Sequence, residues 1–253
     1  MTHAAELVSF YDEAYSKEPG EAAVYARWRA LGAVGKADHV VALCSRAEVS
    51  AGSTLEVGCG DGALLSELHR RGFGGRLSGV EITQAAVEIA RARPEIASVE
   101  RYDGLHLRVA DGTYDLGILS HVLEHMQDPA ALLAEVGRAC RAVVLEVPLE
   151  ANWSAQRARK REQAAEVGHL QRLSRSTARA IVAQAGLSIG VELDDPLPFG
   201  VHRFFASTRS ARLAARAKWA LRAGLHRVAP LAARRLFTLH YACLCLPADA
   251  DEE

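Results

Sequence analysis

The chain has 253 residues, 49% apolar and 24% charged, which excludes a disordered, collagenous or disulfide-stapled protein and leaves enough length for a full core. Its net charge of −1 hides a division: residues 1–150 hold 14 Lys and Arg against 22 Asp and Glu, residues 151–253 hold 16 against 9, and no acid falls between Pro196 and Ala248. No apolar run approaches the roughly 18 residues of a spanning helix, the start MTHAAELVSFYDEAY carries acids where a secretory leader is apolar, and the five cysteines lack C-x-x-C spacing, so a cytoplasmic chain with reduced thiols is expected.

Residues 4–46 are predicted helical, with Leu7, Phe10, Tyr11 and Tyr15 at spacings of three and four and Pro19-Gly20 separating one helix from the next. Short apolar strands then alternate with helices: strand 54–58, helix 63–71, strand 76–81, helix 83–92 stopped by Pro94, strands 99–102 and 114–119, helix 129–139 and strand 142–147. A polar, Arg-rich stretch runs to Gly168, followed by helix 174–185, strand 187–193, a basic helical segment over 209–235 and an apolar run over 239–246. The alternation marks βαβ units, hence an α/β, doubly wound, mostly parallel seven-stranded sheet with N-terminal helices and a helical insertion before the last strand. A single domain over 1–253 is expected, with a helical lid at 1–46, a ligand-binding core at 50–195, a basic helical insertion at 196–236 and the last strand at 237–247. Ligands of such sheets sit at the carboxyl ends of the strands, so the loops after Val57, Val80, Tyr102, Leu119 and Val147 carry the site.

Leu55-Glu56-Val57-Gly58-Cys59-Gly60-Asp61-Gly62 places glycines at a strand-to-helix turn, where a backbone without β-carbons approaches a ligand closely. With Ala63 and Glu81 the letters also satisfy a dinucleotide fingerprint. Glu56, two residues before the first glycine, and the third glycine at 62 instead give E-x-G-x-G-x-G, which resembles motif I of the class I, Rossmann-like methyltransferases that use S-adenosylmethionine. Gly79-Val80-Glu81-Ile82, Arg101-Tyr102-Asp103-Gly104 and Gly112-Thr113-Tyr114-Asp115 follow in the order of that superfamily, and His121-Val122-Leu123-Glu124-His125-Met126-Gln127-Asp128-Pro129 looks like the L-E-H-x-x-D-P loop of its ubiquinone-type subfamily. The resemblance covers about residues 50–195 and implies Glu81 on both ribose hydroxyls, Asp103 on the adenine amino group with Gly104 beside it, and Gly58, Gly60 and Gly62 along the methionine and ribose. It adds Glu56, Ile82 and Ser120 to the cofactor pocket and makes Tyr11 and Tyr15 an N-terminal aromatic lid.

His121 and His125 are expected one helical turn apart with Glu124 adjacent, a ligand-like spacing. H-x-x-E-H also spells a metalloprotease motif, but Pro129 leaves no long helix for it. The placement resembles metal-dependent small-RNA 2'-O-methyltransferases and ubiquinone O-methyltransferases, which implies that His121, Glu124, His125 and His169 hold a divalent ion. Three imidazoles and one carboxylate favour iron, zinc or manganese over magnesium. The alternative is a metal-free histidine base among His121, His125 and His169. His202 is an outside candidate for the substrate wall, and the remaining histidines receive no role.

Arginine outnumbers lysine 26 to 4 in an alanine-rich chain, which suggests a GC-rich bacterial genome, and the readings together imply a methyltransferase acting on an oxygen or nitrogen of a small metabolite, with a homodimer allowed and no membrane span. An RNA 2'-O-methyltransferase and a non-catalytic cofactor-binding protein stand as alternatives. The basic segment is expected to be a substrate lid or subunit contact, because stacking aromatics are sparse in it and no RNA-binding motif accompanies the charge.

Overall fold

The computed structural model describes residues 3–248, with the side chains of the first turn left aside. Two helices, α1 (His3–Tyr15) and α2 (Pro19–Arg46), precede the sheet. The break between them falls just before Pro19, which opens α2 rather than ending α1, because a proline at the first helical position gives up an N–H that has no partner there. The wound region runs β1 (Ser53–Val57), α3 (Ala63–Arg70), β2 (Arg76–Glu81), α4 (Gln84–Arg91), β3 (Ser98–Arg101), β4 (Tyr114–Ser120), α5 (Pro129–Ala139) and β5 (Cys140–Pro148). After it come α6 (Ala158–Glu166), α7 (Arg175–Gln184), β6 (Leu187–Asp195), α8 (Phe199–Arg203), α9 (Arg209–Val228), α10 (Pro230–Leu236) and β7 (His240–Pro247). Helix α6 lies within the polar, Arg-rich stretch before Gly168, where the sequence does not announce it because none of its residues is buried and it carries no apolar period.

All seven strands form one sheet in the order β3-β2-β1-β4-β5-β7-β6, in which β7 runs antiparallel between β5 and β6 and the pairs among β1 to β5 are parallel. The chain reverses direction in strand order between β1 and β4, the switch point at which such sheets open a crevice. Alternate residues of the central strands face opposite layers. Leu55, Val57, Val143, Leu145 and Cys243 pack with Leu132, Val136, Ile181 and Val182 of α5 and α7. Leu116, Ile118, Val144 and Leu244 pack with Ala37, Val40, Leu43, Leu64 and Leu68 of α2 and α3. All five cysteines are buried and free. Among the described residues, no helix is long and apolar enough to cross a membrane.

Candidate active site

The carboxyl ends of β1, β2 and β4 and the loop after β3 open into a cavity of about 970 Å³ that α1 and α2 close from above. One end is the glycine loop. Gly58, Gly60 and Gly62 all have positive φ, and a β-carbon on Gly58 would stand 2.6 Å from the Cγ2 of Val122, so the loop cannot carry side chains there. Glu81, at the end of β2, is buried and fastens this loop: its Oε2 accepts the Gly60 N–H at 2.9 Å, while Oε1 accepts those of Ile82 and Thr83 at 2.7 and 3.2 Å. Burial raises its pKa against these three donors. Glu56 lies beside it, pushed up to about 8 by burial, with Oε2 finding no hydrogen-bond partner among the described residues. Ser120 Oγ is a second buried cavity-lining group without such a partner.

Tyr11, Tyr15, Ile82, Tyr102, Asp103 and Gly104 complete this end of the cavity. Tyr15 stacks under the Arg29 guanidinium, which also donates to the buried Asp61 at 2.8 Å, so α1 and α2 are tied to the glycine loop by charge as well as by contact. Asp103 accepts the N–H groups of Leu105 and His106 at 2.8 and 2.7 Å and pairs with the His106 ring. Its slight burial opposes ionisation, yet the His106 contacts hold its carboxyl down to about 2. Gly62 does not line the cavity: it caps α3 in the left-handed region, and a β-carbon there would stand 2.6 Å from Ile96, so its place is set by helix packing.

The other end of the cavity is an assembly of imidazoles and carboxylates, and here the structure divides the predicted four-residue set. His121 does not share a helical face with His125. It follows β4 with φ of 62°, and only Leu123–His125 form a 3₁₀ turn, so His121 falls with Glu146 and His240 while His125 falls with Glu124 and His169. His121 Nδ1 lies 3.0 Å from Glu124 Oε1, while Nε2 lies 3.0 Å from His240 Nδ1 and 3.4 Å from Glu146 Oε1. Glu146 is wholly buried and is met by His121, His240 and His39, which hold it ionised well below the usual carboxylate range against burial. Burial also opposes charge on His39, but Asp195 and Glu146 on its two nitrogens raise it to about 10.

Glu124, His125 and His169 do converge, with donor atoms within 4.8 Å of one another. His169 Nδ1 lies 2.8 Å from Glu150 Oε2, and His125 Nδ1 lies 3.1 Å from the Gly168 carbonyl. The Tyr11 hydroxyl reaches His125 Nε2 at 3.2 Å. Burial lowers the pKa of His125, against the pull of the neighbouring Glu124. Glu124 is buried, which opposes its charge, but His121 holds it down to about 2; its Oε2 has no hydrogen-bond partner among the described residues. Sequence reasoning missed Glu146, His240, His39 and the cavity-lining Lys36, and it placed His202 on a wall where Val201 stands instead; His202 turns to the Pro196 carbonyl at 2.8 Å.

The profile of a methyltransferase-domain family matches residues 25–190. An uncharacterized 37.1 kDa protein in transposon TN4556 of Streptomyces fradiae is 36% identical over 107 residues, which are 41% of this chain and 31% of that protein. The ubiquinone biosynthesis O-methyltransferase of Thiobacillus denitrificans is 30% identical over 103 residues, 37% of this chain and 42% of the relative. The match thus spans about a third to two-fifths of these relatives. In fold, the chain is similar to the geranyl diphosphate C-methyltransferase of Streptomyces coelicolor in complex with Mg²⁺, geranyl diphosphate and S-adenosylhomocysteine, with a TM-score of 0.60 at 16% identity over 85% of this chain and 77% of that one.

Proposed function

Because this chain belongs to the methyltransferase-domain family, we propose that it transfers the methyl group of S-adenosylmethionine to an oxygen or nitrogen of a small metabolite. The observation that carries the reading is that one cavity joins the Glu81 glycine-loop end to the Glu124–His125–His169 end. S-adenosylmethionine, when bound, supplies a methyl on a positively charged sulfur that departs readily. What the protein must add is alignment, exclusion of water and removal of one proton from the acceptor.

Glu81 and Asp103 would orient the ribose and adenine, and α1 with Tyr11 and Tyr15 would shut the site from solvent. Among the three predicted histidines, His169 is best placed as the base: Glu150 fixes its Nδ1, so Nε2 is the nitrogen that takes a proton, and the carboxylate stabilises the charge that forms. His121 is committed on both nitrogens and acts as a positioning residue.

The same end fits a divalent metal, on the ground that a buried carboxylate oxygen of Glu124 lacks a partner beside two imidazoles whose Nδ1 atoms are held by outer acceptors. In that case Glu124, His125 and His169 would hold it, His169 Nε2 serving as a ligand instead of the base, and this donor set favours zinc, iron or manganese over magnesium. Such an ion would lower the pKa of a bound acceptor hydroxyl. The test is formation of S-adenosylhomocysteine on a panel of phenols and amines, with metal content measured on the same preparation. His169→Ala is expected to lower turnover by roughly 10²-fold or more and to lose the metal. Full activity in His169→Ala would remove both roles, and full activity after chelation would remove the metal alone.

A further inference from the structure

Helix α9 is built against the usual rule for a surface helix. On a wheel of 100° per residue, Leu213, Ala217, Leu221, Gly224 and Val228 fall within an arc of about 80°. That arc faces solvent. Leu213 is 71% exposed, Leu221 63% and Val228 78%, and Leu231 at the start of α10 continues the surface at 70%. The opposite side is the one that packs: Trp219 donates to the Leu197 carbonyl at 2.9 Å and meets Phe199, while Arg222 covers Phe237. The exposed leucines therefore contribute nothing to the core, and a contiguous apolar surface of this kind marks an interaction site.

Exposed cations border it, Arg209, Arg216 and Arg227 along one side and Lys218 on the other. Among the described residues, no ion pair joins α9 to an acid, and residues 197–247 contain none. Beside the stripe, Ala229, Pro230, Leu231, Ala232 and Leu236 line a shallow apolar depression. At the other end of the segment, the 63% exposed Phe205 lies against Tyr25 and Trp28 of the cavity wall.

We infer that the outward face of α9 and the start of α10 docks on an anionic membrane surface. An apolar stripe a few side chains wide, flanked by cations and free of acids, has the composition of a helix lying in the lipid interface, with the leucines among the acyl chains and the arginines at the headgroups. A second copy of the chain is a poorer occupant, since a two-fold contact through this face would set its cations against one another. RNA is poorer as well, because phosphate contacts need no apolar stripe and the exposed arc of α9 offers no aromatic for a base to stack on. Docking there would set the rim of the cavity beside the bilayer, because Leu197, whose carbonyl Trp219 of α9 meets, and Val201 of α8, which packs on α9, both line that cavity. The inference stands apart from methyl transfer.

The experiment is co-sedimentation of the full chain with vesicles of phosphatidylcholine, with and without phosphatidylglycerol, at low and high salt. The expected result is binding to the anionic vesicles that falls at least about tenfold on the neutral ones and weakens with salt. Leu221→Asp with Val228→Asp, both at exposed positions that the fold does not use, should weaken binding to the anionic vesicles by a similar factor with an unchanged circular dichroism spectrum. Arg209→Gln with Arg216→Gln should weaken it less and flatten the salt dependence. Absence of vesicle binding would overturn the inference, as would binding that the aspartates leave unchanged. So would a dimer in light scattering that persists with vesicles present and dissociates in Leu221→Asp, or displacement of the protein from vesicles by RNA that the aspartate variant binds equally well.

Discussion

Replacing Glu81 should separate the two tasks of that carboxylate. It accepts the N–H groups of Gly60, Ile82 and Thr83, and it lines the cavity in which the two ribose hydroxyls are proposed to bind. Hydrogen bonds to a charged acceptor contribute about 1.5–3 kcal/mol each, and water can enter the space an alanine leaves, so the low end applies. Loss of two such bonds in Glu81→Ala is about 3 kcal/mol, or roughly 150-fold weaker binding of S-adenosylhomocysteine. Glu81→Gln keeps one acceptor and sets an amide N–H toward the other donor, so a drop of about tenfold is expected. Calorimetric titration of both variants measures the order Glu, Gln, Ala, with denaturant midpoints to show that each is folded. Unchanged affinity in folded Glu81→Ala, or tighter binding of NAD than of S-adenosylhomocysteine, would refute the reasoning.

Gly58→Ala puts a β-carbon 2.6 Å from Val122 Cγ2 at a φ of +73°, and a stability loss of about 2–4 kcal/mol is expected from the denaturant midpoint. The His39 imidazolium, raised to about 10 by Asp195 and Glu146, stabilises the fold in full below the ordinary imidazole value near 6.5, and this contribution disappears as pH rises through about 10. His39→Gln should therefore be about 3 kcal/mol less stable at pH 6 and converge on the parent protein toward pH 10; parallel profiles would show that the pair does not carry charge. The Gly62 carbon faces Ile96 rather than the cavity, so Gly62→Ala should lower stability while S-adenosylhomocysteine affinity in the folded fraction stays within about twofold.

The strands and helices of the wound region were legible because each has its own local signal: apolar runs closed by glycine, and helices bounded by Pro94, Pro129 or a cap such as Asp128. The cofactor end was legible for a related reason, since its residues sit at strand ends that sequence order locates. The imidazole end was legible only in part. Pairing of Glu146 with His240 and His39 depends on β7 lying beside β5 and on α2 crossing the sheet, placements set by tertiary packing and not by spacing. H-x-x-E-H spacing suggests a helical turn for His121, whereas the chain leaves β4 through a left-handed residue, a conformation that sequence does not announce at a histidine. The outward face of α9 was visible as charge without acids, but which side of the helix packs could be known only from the contacts of Trp219.

A crystal structure of the protein with S-adenosylhomocysteine tests the proposed function most directly. The ribose hydroxyls should lie within hydrogen-bond distance of Glu81, and the sulfur should face the Glu124, His125 and His169 end of the cavity with Tyr11 beside it. A ligand bound away from the glycine loop, or a sulfur turned toward a wall other than that cluster, would contradict the account.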